Sequence, residues 1–144
     1  MRPLPLAALL LVGCLRPAAV VAPEGVPACA DTPCCIAEVV RSEQAGPAAF
    51  NPHTGCVEVD PVQLTHLRAS FGYDAEVAVL LVELARLTQH RSDLPPDDEL
   101  ADLLAGCWLS RLGLSPSGLV AWLRSRGSRV WQARELRLSV GCSP

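Results

Sequence analysis

Apolar residues recur at helical spacing through most of the second half of this chain. In the longest stretch, from Asp74 to about His90, Val77, Leu80, Leu81, Leu84 and Leu87 make one face, and Val79 and Val82 widen it. A helix apolar on most of its sides belongs at the centre of a fold, and Asp74 is placed to cap this one. After a Ser92–Pro96 loop, Asp97 or Asp98 starts a second helix through Leu100, Leu103, Leu104, Cys107, Trp108 and Leu112, and Gly113 stops it. Ser115-Pro116 opens a third helix to Arg126, with Leu119, Trp122 and Leu123 inward. Gly127-Ser128 separates a last one, about Arg129 to Val140. Upstream, Asp60-Pro61 places an N-cap before a proline at the first helical position, predicting a helix from Pro61 to about Ser70. Cys56 to Asp60 alternates like a short half-buried strand. Phe50-Asn51-Pro52-His53-Thr54-Gly55 has turn chemistry. The pattern also permits a short helix over Pro33 to Arg41, broken by Gly46-Pro47. These elements add up to a mainly α fold, α+β at most, with one short strand element.

The first 28 residues read differently. One positive charge at Arg2 precedes a short apolar run from Pro3 to Gly13. A bilayer span needs roughly 20 residues, so this run has the form of a signal peptide. It ends in Leu11-Val12-Gly13-Cys14, which resembles a bacterial lipobox. That resemblance implies cleavage before Cys14, lipidation of Cys14 and attachment to a membrane of the cell envelope. The alternative is plain secretion with cleavage near Ala22. Residues 15–28 are rich in Pro, Ala, Val and Gly and look like a tether. The expected organisation is a leader over 1–13, a tether over 14–28 and one folded domain over 29–144.

The chain has seven cysteines, which point to an oxidising compartment. With Cys14 set aside for lipid, Cys29, Cys34, Cys35, Cys56, Cys107 and Cys142 are disulfide candidates, and spacing alone does not pair them. Cys107 could be a free core thiol or bond Cys142 and pin the last helix. A zinc–thiolate reading is weaker, because no two paired C-x-x-C or His spacings close a tetrahedral site. The 12 basic residues are all Arg, against 15 acidic ones, for a net charge of −3. With no basic block and few aromatics, nothing supports nucleic-acid binding. The helical spacing of Trp108, Trp122 and Trp131 suits core or groove walls.

Three segments in order carry a family resemblance: Phe50–Pro61; Val79-Leu80-Leu81-Val82-Glu83-Leu84-Ala85-Arg86 with Gln89; and Glu99–Trp108. Arg134 and Gly141-Cys142 follow them. Together they are similar to the small neutral zinc metallopeptidases of the zincin type, in which H-E-x-x-H sets two imidazoles on one helix face for Zn²⁺ and a later helix gives an acidic third ligand. The resemblance implies a minimal zincin-like helical domain, with Glu83 at the catalytic glutamate, Val82 and Arg86 at the two histidines, Asp98 or Glu99 at the third ligand, and Asp102 at the acid that orients the site. Valine has no donor atom and arginine stays protonated. His53, His66 and His90 have no i, i+4 partner among themselves. The expectation is therefore no metal, no cofactor and no catalysis.

The expected function is that of a lipid-anchored, peptidase-like envelope module that binds a protein or peptide, or serves as a structural part. In it, Arg86 takes over the electrostatic place of the metal and pairs with Glu83, Glu99 or Asp102. A blander reading is an exposed Glu83–Arg86 pair on an ordinary helix. Two other functions stand beside the first: a secreted cysteine-stabilised helical domain unrelated to peptidases, and an atypical hydrolase using Glu83 with Asp98, Glu99 or Asp102.

Overall fold

A computed structural model describes residues 36–142. The expected leader, Cys14, the tether, Cys29, Cys34 and Cys35 lie outside the described residues. Within them, three short strands precede five α-helices: β1 Ile36–Glu38, β2 Ala48–Asn51, β3 Cys56–Val59, α1 Pro61–Phe71, α2 Tyr73–Arg91, α3 Asp98–Leu112, α4 Ser117–Ser125 and α5 Trp131–Ser139. The fold is mainly helical with a small sheet, as the pattern predicts.

The sheet is larger than expected. Its order is β1-β3-β2, with β1 parallel to β3 and β2 antiparallel to it. Residues 36–38, expected to be helical, form β1 with Ile36 opposite Val57. Phe50 and Asn51, expected in a turn, belong to β2, so the turn between β2 and β3 is only residues 52–55. The reason lies in β3: Val57 is fully buried, and its strand uses both backbone edges. A 3₁₀ turn, Glu43–Ala45, connects β1 to β2.

The strand-to-helix junction follows its local chemistry. The Asp60 carboxylate accepts the N–H groups of Val62 and Gln63 at 3.0 and 3.2 Å. It also accepts the Arg41 N–H at 2.8 Å, which ties the chain after β1 to the start of α1. The Arg41 N–H bond, followed by that of Gln63, holds the Asp60 carboxyl below its ordinary range despite opposing desolvation.

The central helix is α2, packed against α1, α3, α4 and the sheet. Ala75, Val77, Ala78 and Ala85 are completely buried, and Leu80, Val82 and Leu87 nearly so. Its cap differs from expectation. Gly72 occupies the N-cap with no side-chain cap bond, and Asp74 instead accepts the Ser115 N–H at 2.8 Å. That bond ties the start of α2 to the loop between α3 and α4. Gly113 ends α3 in the left-handed region (φ 70°), as predicted.

One buried side chain, Leu138, comes from α5. The helix lies close on α3 because residue 106 is glycine, where a Cβ would collide with the Leu138 carbonyl. A Cys107–Cys142 disulfide closes the same seam, the pairing that would pin the last helix. Cys56 is also disulfide-bonded. Such bonds belong to an oxidising, extracytoplasmic environment. Among the described residues, no helix is long and apolar enough to cross a membrane.

Candidate functional site

Glu83 sits at the middle of α2 with its side chain turned toward the sheet and only 6% of the residue exposed. A buried carboxylate needs donors for its oxygens, and both are supplied. Oε2 accepts the Phe50 backbone N–H of β2 at 2.7 Å. Oε1 accepts Nη1 of Arg86, three residues on along the same helix, at 2.8 Å. The Arg86 guanidinium then extends to α3, where Nη2 donates to Asp98 Oδ1 at 3.1 Å. One side chain thus bridges a buried acid on α2 and the first residue of α3. Burial works against the Arg86 charge, but the Glu83 and Asp98 carboxylates outweigh it and the guanidinium's pKa is raised.

A second tie lies alongside. The Gln89 amide, buried near the end of α2, donates to the Asp97 carbonyl at 2.9 Å and accepts the Asp97 N–H at 3.2 Å. Asp97 is itself the N-cap of α3, accepting the Glu99 and Leu100 N–H groups. Arg86 and Gln89 therefore hold the amino end of α3 against the second half of α2.

The remaining acids turn elsewhere. Glu99 is largely exposed and lies 4.0 Å from Arg137 on α5. Asp102, only 1% exposed, takes both arginines of α5: Arg134 Nη2 at 2.9 Å and Arg137 Nη2 at 2.8 Å, with both Nε groups at 3.0 to 3.2 Å. Its charge also reaches Arg86 through space. Of the residues singled out in the sequence, Glu83, Arg86 and Asp98 meet, whereas Glu99 and Asp102 belong to the α3–α5 seam. Val82 points into the apolar core. Arg137 was not singled out; its signal was the i, i+3 spacing from Arg134 on a helix with little apolar surface of its own.

The chemistry follows from this geometry. The guanidinium is a permanent cation and gives no proton away. Both Glu83 oxygens are already engaged as acceptors, one by the Phe50 N–H and the other by the Arg86 guanidinium. The exposed i, i+3 reading does not fit, because Glu83 is buried and Arg86 reaches a second helix. Among the described residues, no three His, Cys, Asp or Glu side chains group to hold a metal ion. His90 instead packs its ring 5.2 Å from that of Phe50. The three tryptophans are half-buried against the core. Arg124 lies over Trp131 and Arg126 over Trp122.

No protein-family model, curated protein or solved structure matches the chain.

Proposed function

We propose that this chain is a non-catalytic, peptidase-like module of the bacterial cell envelope, anchored by lipid at Cys14 and acting through binding or as a structural part. The observation that carries the reading is the Arg86 guanidinium, which joins Glu83 on α2 to Asp98 on α3. In the zincin pattern that Val79–Arg86 resembles, a metal ion joins the corresponding helices. Here a fixed cation of the chain itself, standing at one of the two histidine positions, makes the tie between two carboxylates. Val82 supplies no ligand atom at the other histidine position. The lipobox-like Leu11-Val12-Gly13-Cys14 supports the anchor, and the Cys107–Cys142 disulfide agrees with export.

Elemental analysis of the full exported chain tests the loss of the metal. The expected result is substoichiometric zinc and no hydrolysis of a casein substrate; one tightly held zinc per chain would overturn the reading. The double variant Val82→His/Arg86→His tests the scaffold, since a zincin-like helix pair should gain one zinc per chain. If the double variant folds but stays zinc-free, the chain is a cysteine-stabilised helical domain of another kind. Palmitate labelling tests the anchor, and label that persists in Cys14→Ser would sink it.

A further inference from the structure

We propose that the groove between the 3₁₀ turn, α1 and α4 is a binding site for a neutral, hydroxyl-rich ring, such as one pyranose unit of a glycan. The proposal stands on residues remote in sequence from the Arg86 cluster and does not rest on the peptidase reading. The groove encloses about 320 Å³, at the small end of ligand sites, which span roughly 300–1,000 Å³.

Its rim is held in place before any ligand arrives. Arg126 Nη2 donates to the carbonyls of Glu43 and Gln44 at 2.7 and 3.1 Å. Arg41 donates to the carbonyls of Gly46 and Ala45, both at 2.9 Å. The Gln63 amide donates to the carbonyls of Arg41 and Ser42 at 2.7 and 3.1 Å. Two arginines and a glutamine thus satisfy the outward carbonyls of one short turn, so little ordering is left for binding to impose.

The lining combines two kinds of surface. Half-buried Phe71 and Trp122 give an apolar wall, and the Arg126 guanidinium lies 5.0 Å from the centre of the Trp122 ring. Glu43, His66 and Ser70, whose side chains carry a carboxylate, an imidazole and a hydroxyl, line the groove beside that wall. None of these three side-chain groups has a hydrogen-bond partner among the described residues. One carboxylate and one guanidinium leave neither sign of charge favoured. A ligand with an apolar C–H face and edge hydroxyls that both donate and accept satisfies the wall and the rim together. A pyranose has that form, and an anion or a cation does not.

Calorimetric titration of the full exported protein with cellotriose, maltotriose and N,N′,N″-triacetylchitotriose tests the proposal. N-acetyl-glutamate amide and N-acetyl-lysine amide serve as charged controls. At least one trisaccharide should saturate with a dissociation constant on the order of 1 mM or tighter, and both controls should be weaker. Glu43→Gln and His66→Ala lie on the exposed rim, so melting temperature should hold while affinity falls about fivefold in each, one hydrogen bond's worth. The proposal fails if no trisaccharide saturates, if a charged control binds more tightly, or if binding is unchanged in both variants.

Discussion

Replacing Asp102 by Ala should undock α5 and lower the stability of the whole domain. The carboxylate is 1% exposed and engages two guanidinium groups whose side chains are themselves only 18% and 23% exposed. Removing one partner of a buried ion pair strands the other and costs about 3–5 kcal/mol. Here two cations are stranded, but both lie near enough to the surface to turn toward water, so the loss should sit at the lower end, about 3 kcal/mol. For a domain of this size each kcal/mol lowers the melting temperature by about 4 °C, giving a fall of about 12 °C. Thermal unfolding followed by circular dichroism at pH 7, with disulfides intact, measures it. Hydrogen exchange should show the amides of α5 opening first, because Leu138 is the one buried side chain of that helix. A triple variant, Asp102→Leu with Arg134→Met and Arg137→Met, leaves no stranded charge and should lose far less. A fall below about 1 kcal/mol in Asp102→Ala, or equal damage in the triple variant, would refute the argument.

Three further outcomes follow from the same structure. Gly106→Ala should destabilise by about 1–3 kcal/mol, since the new Cβ meets the Leu138 carbonyl and α3 and α5 must separate; a melt equal to wild type would mean the seam is looser than described. Opening the Cys107–Cys142 bond with a double Ser variant should cost roughly 4 kcal/mol by loop entropy, because the bond spans 35 residues; chemical denaturation with and without the bond measures this. Glu76 has one buried oxygen with no hydrogen-bond partner, and an ion pair to Arg68 at 3.7 Å. Burial raises its carboxyl above the ordinary 4.5, against the pull of Arg68. The folded state therefore holds this proton more tightly than the unfolded chain does. That contribution is full below 4.5 and is lost as pH rises through the raised folded value. Glu76→Gln should accordingly raise the melting temperature at pH 7, with a gain that vanishes by pH 4; a gain independent of pH would disprove the assignment.

Elements whose signals are local were legible in the sequence. Asp60-Pro61 and Gly113 mark helix ends by their own backbone and side-chain chemistry, and the structure keeps both. The apolar face of α2 named the core before any contact was known. β1 was misread because its cause is remote: three residues become a strand only by pairing with β3 some twenty positions later. Gly46-Pro47 ended an expected helix that tertiary pairing had already displaced. Asp74 was assigned to a cap by proximity, yet its partner, Ser115, is set by how α3 and α4 connect. The Glu83–Arg86 contact was readable from i, i+3 spacing, but the choice between Asp98 and Glu99 was not. Adjacent helical positions differ by about 100° in direction, and only the docking of α3 on α2 turns Asp98 toward Arg86 and Glu99 toward Arg137.

The bridge through Arg86 also frees this part of the fold from supply. A clasp built on a bound ion forms only where that ion is available, and it loosens under chelators or when protons compete for its ligands. A guanidinium arrives with the polypeptide and keeps its charge across the physiological pH range. The α2–α3 contact that Arg86 makes is therefore complete from the moment the helices meet, in metal-rich and metal-starved surroundings alike.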